Sequence, residues 1–203
     1  MDTQDAHAHL DDVLVTPEQI RSRIAEISRE IEADYPDSTP LLVGVLKGAV
    51  MVMADLAREL KIDVEMDWMA ISSYGNDHKS SGVVKILKDL DTALEGRDVL
   101  IVEDIVDTGL TLSWLLGNFE SRGARSIRVM TLLRKPDAMQ VDVPLDYVGF
   151  DIPNAFVVGY GLDYANRYRN LTGVAVLKPE VYGGTGDWPR ANRLFRLMPK
   201  QVA

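Results

Sequence analysis

Val99-Leu100-Ile101-Val102 is a continuous apolar run, the pattern of a β-strand covered on both faces rather than one that alternates between core and water. Such a strand needs helices above and below it. The chain offers them in alternation with further strands. Thr16, Pro17 and Gln19 supply an N-cap, a first-turn proline and a capping-box partner, and Ile20, Ile24, Ile27 and Ile31 then recur at helical spacing up to Tyr35-Pro36. Residues 41–46 read as a buried strand, Lys47-Gly48 as a turn and 49–60 as a helix, the opening of a βαβ unit. Further strands are predicted at 64–71, 83–87, 127–133, 147–150, 156–158 and 174–177, with a helix over 111–122. The segment 72–82 is polar and without apolar period, so it is predicted to be a long loop. The alternation specifies an α/β domain with a largely parallel sheet, and no internal repeat is present.

Composition narrows the function classes. The 203 residues suit one domain, and 46% hydrophobic with 26% charged residues is the balance of a globular chain. With 31 acidic and 22 basic side chains the net charge is −9, a field that repels phosphate backbones, so nucleic-acid binding is not expected. A small anionic substrate remains compatible, since backbone amides, a few basic side chains and a divalent cation act locally. The absence of cysteine excludes disulfides, thiolate metal sites and thiol catalysis. The polar, acidic start MDTQDAHAHLDD does not read as a signal peptide, and no apolar run approaches the roughly 20 residues that span a bilayer. The expectation is a cytoplasmic protein with no membrane partner.

The segment VLIVEDIVDTGLT, 99–111, carries the most chemistry: a strand, the carboxylates Glu103 and Asp104, a third at Asp107, then Thr-Gly and a helix start. Ligands gather at the carboxyl end of such a strand because free amides and the helix dipole point there. Asp107-Thr108-Gly109-Leu110-Thr111 would cradle a phosphate, with Gly109 permitting close approach and the two threonines adding hydroxyls. Glu103 and Asp104 would repel a phosphate, so they suit ribose hydroxyls or hydrated Mg²⁺. Spacing alone leaves a second reading open, an acidic strand end with Asp107 capping the helix.

This segment resembles the phosphoribosyl pyrophosphate signature of the type I phosphoribosyltransferases, and more narrowly the hypoxanthine-guanine phosphoribosyltransferases. Leu46-Lys47-Gly48, Ser73-Tyr74, residues 133–136 and the stretch FVVGYGLDY, 156–164, extend the resemblance across about residues 41–182. It implies a Rossmann-like core sheet flanked by helices, with a small hood, in a single domain. The core is expected over about 37–145, the hood from the N-terminal segment and about 146–182, and a tail or subunit-contact arm over 183–203. The implied reaction moves the phosphoribosyl group of phosphoribosyl pyrophosphate onto a 6-oxopurine, giving IMP or GMP and pyrophosphate, in a homodimer or homotetramer.

The same resemblance suggests roles residue by residue. The similar turn at Lys47-Gly48 uses a cis peptide to aim backbone groups at pyrophosphate, although by sequence Lys47 is equally a surface lysine. Ser73 and Tyr74 open a loop that would close over the site. Lys135 would donate to the purine's exocyclic oxygen, with Arg134 a competing candidate. Phe156 would stack on the base and Val157 offer backbone groups to its edge, where periodicity alone makes Phe156 core. Asp163 would lie near a second Mg²⁺, alongside the metal-facing Glu103 and Asp104, and Arg169 would contact pyrophosphate; a plain Asp–Arg surface pair is the alternative. Asp107 is the candidate for the purine's ring proton. His7, His9 and His78 have no ligand spacing and are assigned no metal.

Overall fold

The computed structural model describes residues 8–74 and 83–183. Helix α1 (Pro17–Asp34) begins with the anticipated capping box: the Thr16 hydroxyl accepts from the Gln19 amide while the Gln19 side chain accepts from the Thr16 amide. Its isoleucine stripe is fully buried, each side chain contributing about 1.5–3 kcal/mol against exposure. The chain continues through β2 (Leu41–Leu46), α2 (Val50–Glu59), β3 (Glu65–Tyr74), β4 (Val83–Lys88), β5 (Asp98–Val106), α3 (Leu110–Ser121), β6 (Ser126–Arg134) and β7 (Tyr147–Asp151), after β1 (Leu10–Val15) has preceded α1.

Strands β4-β3-β2-β5-β6-β7 form one six-stranded sheet in that order, with every neighbouring pair parallel except the antiparallel β3–β4 edge. One face is covered by α1 and α2, where Leu42, Leu100 and Val102 meet Ile24, Met53 and Leu56. The opposite face packs Val43, Val99 and Ile101 against Leu112, Leu115 and Phe119 of α3. The run 99–102 is therefore buried on both sides, as its composition required. From β2 the chain crosses to β3 on one side, and from β5 to β6 on the other, so the direction of winding reverses between β2 and β5. Ligands of open α/β sheets bind at that reversal, beyond the carboxyl ends of the two strands.

A second sheet of three antiparallel strands, β1-β9-β8, forms the hood, with β8 at Val157–Val158 and β9 at Val174–Leu177, followed by the short helix α4 (Pro179–Tyr182). Three expectations are corrected here. Residues 147–151 pair with β6 in the large sheet, so the hood resumes after Asp151 rather than near 146. Strand β5 runs on through Val106, so Glu103 and Asp104 stand inside the strand and not beyond its end. Phe156 precedes β8 instead of starting it. Strand β1 was not anticipated because Asp11-Asp12 breaks its apolar alternation. The remainder of the expected loop, 75–82, and the tail from 184, lie outside the described residues. No described helix is long and apolar enough to cross a membrane.

Candidate active site

The turn after β2 and the end of β5 meet at the winding reversal. The Leu46–Lys47 peptide is cis, as the resemblance implied, and the backbone of Gly48 comes so close to β5 that a Cβ there would lie 1.7 Å from Asp104 Oδ2. Glycine is required at this position by close approach alone. The Lys47 side chain is exposed and makes no hydrogen bond or ion pair among the described residues, so only its backbone is held in the turn.

Glu103 and Asp104 are 7% and 9% exposed. Burial raises the Glu103 carboxyl well above its usual range, and the charge of Asp104 adds to this. Burial likewise pushes Asp104 up to about 6, against the opposing pull of the Ile105 amide and Arg169, with Asp163 raising it further. Two adjacent buried carboxylates short of positive charge are suited to a divalent cation that keeps water and substrate oxygens in its shell. Among the described residues no three acidic or imidazole side chains converge as a complete protein cage. Asp163 instead holds Arg169 at 2.7 Å and accepts from the Asn166 amide.

Beyond β5 the chain turns through Asp107-Thr108-Gly109 into α3. Gly109 is the helix N-cap, at φ +80° and without a side-chain capping bond, and no carboxylate stands in the first turn of α3. Asp107 is thus not the helix cap. Its carboxylate pairs with Lys135 Nζ at 2.9 Å, the lysine being almost completely buried and the Asp107 side chain 47% exposed. Lys135 also donates its backbone N–H to Val106, which stitches β6 to the end of β5. The segment after it backs the turn at 107–109: the Gln140 and Val141 amides both donate to the Thr108 carbonyl. Arg134, the competing candidate, is committed to a two-point pair with Asp151 at 2.6 and 2.8 Å.

A cleft of about 170 Å³ gathers Gly48, Glu103, Asp104, Asp107, Thr108, Gly109 and Thr111 on its walls, with Leu46, Ile105 and Leu162 as apolar surface. Leu110, the first residue of α3, donates its amide to Thr108 Oγ1 at 3.5 Å. The structure does not bring every expected residue to that wall. Phe156, 39% exposed, stands in the hood, stacked on Tyr182 with centroids 5.0 Å apart and edge-on to Tyr164. Val157 is buried in β8, and Ser73 and Tyr74 end β3, paired in register with Val84 and Val83. Ile105 and Leu162 were missed by sequence reasoning. The signal was present for the first, an apolar residue enclosed by carboxylates at 104 and 107, whereas Leu162 reads as ordinary core.

Known proteins resemble this chain in sequence and fold. The family model of the phosphoribosyl transferase domain matches residues 13–165. A Bacillus subtilis hypoxanthine-guanine phosphoribosyltransferase is 54% identical over 173 residues, 85% of this chain and 96% of the relative. The Mycobacterium avium enzyme of the same name is 58% identical over 176 residues, 84% of this chain and 87% of its own. In structure, a hypoxanthine phosphoribosyltransferase from Staphylococcus aureus superimposes with a TM-score of 0.86 at 42% identity, covering 90% of this chain and 99% of that one. On its fold, the matching family model and these relatives, the chain belongs to the hypoxanthine-guanine phosphoribosyltransferase family.

Proposed function

We propose that this chain is a purine-salvage enzyme, acting as a single domain, that transfers the phosphoribosyl group of phosphoribosyl pyrophosphate to hypoxanthine or guanine and forms IMP or GMP. The observation that carries the reading is the Lys135–Asp107 pair at the mouth of the phosphate turn, a buried donor beside a half-exposed carboxylate. A 6-oxopurine offers the complementary pair, an exocyclic oxygen for Lys135 and a ring N–H for Asp107.

In the reaction the bond from ribose C1′ to pyrophosphate oxygen breaks, the bond from C1′ to the purine nitrogen forms, and the ring proton passes to Asp107. The transition state carries positive charge on the ribose, so groups that bind it more tightly than the ground state raise the rate. Glu103 and Asp104 face the ribose, and the 108–111 amides and hydroxyls hold the 5′-phosphate. Gly48, the Lys47 backbone and Arg169 receive the pyrophosphate, while Phe156 and Val157 receive the base. A divalent cation, Mg²⁺ in this reading, would be held by Glu103 and Asp104 and at a second position by Asp163, and supplies charge neutralisation for the pyrophosphate. The buried, uncompensated carboxylate pair fits that ion. The working form is a cytoplasmic homodimer or homotetramer, which sedimentation of the purified chain tests.

The decisive experiment incubates the enzyme with phosphoribosyl pyrophosphate, Mg²⁺ and single free bases, and reads nucleotide formation. IMP and GMP are expected. Adenine or a pyrimidine as the preferred acceptor would overturn the substrate assignment, and no nucleotide from any base would overturn the activity.

A further inference from the structure

The hood and the core are separate sheets, so the residues each brings to the cleft keep their spacing only if something fixes one sheet against the other. The hood loop Gly159-Tyr160-Gly161 takes three successive positive φ values, 101°, 50° and 100°. The two glycines accept that conformation freely, but a tyrosine does so at a cost and needs an anchor. Tyr160 has one: it is 8% exposed, and its hydroxyl donates to Asp55 Oδ2 on α2, in the core. The other oxygen of Asp55 accepts from Arg58, whose side chain is exposed.

From this anchor the backbone leads directly to the site. Gly161 donates its amide to the Arg169 carbonyl at 3.0 Å, and Arg169 Nη1 donates back to the Gly161 carbonyl at 2.7 Å. A Cβ on Gly161 would lie 2.0 Å from the Gly48 carbonyl, as one on Gly48 would strike Asp104. The hood loop therefore meets the Gly48 turn backbone to backbone, and that turn rests in its own right on the Asp104 carboxylate of the acidic strand. Interiors packed in this way transmit displacement rather than damp it.

We infer that the Tyr160–Asp55 hydrogen bond is a latch between hood and core that positions Arg169 and the Gly48 turn for the pyrophosphate side of the substrate. The inference rests on the transferase reading above. Both residues act through others, since neither touches the cleft. The latch bears more on one substrate than on the other: Gly161, within its loop, bonds directly to Arg169, whereas on the base side Lys135 and Asp107 are held by β5 and β6, and Phe156 and Val157 belong to the hood.

The test compares Tyr160→Phe, which keeps the ring and removes only the hydroxyl, with Asp55→Ala and Asp55→Asn, the last retaining an acceptor. Tyr160→Phe and Asp55→Ala should each raise KM for phosphoribosyl pyrophosphate, and for pyrophosphate in the reverse direction, by about tenfold, the loss of one hydrogen bond to a charged group. KM for hypoxanthine should rise distinctly less, Asp55→Asn should restore most of the affinity, and the double variant should be no worse than either single one. Amide exchange at Tyr160 and Gly161, whose N–H groups donate to the Leu171 and Arg169 carbonyls, should quicken in the impaired variants, a readout independent of turnover. A lowered melting temperature with unchanged KM values, or equal rises for both substrates, would overturn the latch. Should Tyr160→Phe not fold, the Asp55 pair decides by the same criteria. If wild type forms no nucleotide, the transferase reading fails, and exchange at Gly161 alone decides whether the latch exists.

Discussion

Asp107→Asn separates chemistry from architecture, because the structure bounds what the change costs apart from the proton. The helix cap is not at stake, since Gly109 caps α3 without any side chain. The ion pair is, and Lys135 is left nearly buried without its counter-charge. Full burial of both partners would make removal of one cost about 3–5 kcal/mol. The Asp107 side chain is 47% exposed, however, so water screens the pair, and the asparagine oxygen still accepts from Lys135 Nζ. The net loss should be about 1 kcal/mol, a melting shift of roughly 2–4 °C for a chain of this size. Loss of a general base lowers the rate of the chemical step by about 10²–10⁴-fold. Stability and rate should thus part company: a small shift by thermal melting, and a large fall in rapid-quench single turnover with enzyme in excess. IMP binding should persist. A chemical step close to wild type in a variant with the expected melting shift would refute the assignment of the ring proton to Asp107.

Lys135→Ala should weaken hypoxanthine and guanine far more than phosphoribosyl pyrophosphate, and equal losses by calorimetry on the folded variant would contradict a contact to the base. Gly48→Ala forces a methyl group onto the Asp104 carboxylate, so affinity for phosphoribosyl pyrophosphate should fall by about tenfold or more; unchanged affinity would show that the turn can retreat. Turnover should vanish in excess chelator and return on adding Mg²⁺, and full activity in metal-free reagents would exclude the cation. At the far end of β5, hydrogen bonds from Arg125, then Ser126 and Ser38, hold the Asp98 carboxyl well below its usual range. A depressed carboxylate contributes stability that is complete above the unfolded pKa near 3.9 and is lost as pH falls through the lower folded value. Asp98→Asn should therefore flatten the decline in urea stability below about pH 4, and an unaltered acid limb would reject the linkage.

Much of this was legible in the residues because it rests on local rules. The capping box at Thr16 and Gln19 and the isoleucine stripe behind it located α1, and the apolar run 99–102 demanded helices on both faces. Where distant pieces of chain meet, the sequence was silent. Nothing in Asp11-Asp12 announces that β1 will pair with β9, since the pairing is supplied by a strand more than 150 residues later. The acidic motif was recognised but its strand was ended too early, because two charged residues at 103 and 104 contradict β-propensity and are tolerated only at a ligand edge. The Lys135–Asp107 pair spans 28 positions, and neither residue alone distinguishes an ion pair from a helix cap or a surface lysine. Gly-Tyr-Gly at 159–161 was a readable mark of positive φ, but not of the partner on α2.

The hood draws on both halves of the chain: β1 precedes the entire core, whereas β9, the strand with which β1 pairs among the described residues, follows it. During synthesis the first strand of this small sheet leaves the ribosome before any strand of the large one, and waits unpaired until residues 174–177 emerge. Every strand of the large sheet has been made by then. A nascent chain halted after β7 would consequently hold all six strands of the large sheet but a single strand of the hood, until the last segment supplies β8 and β9.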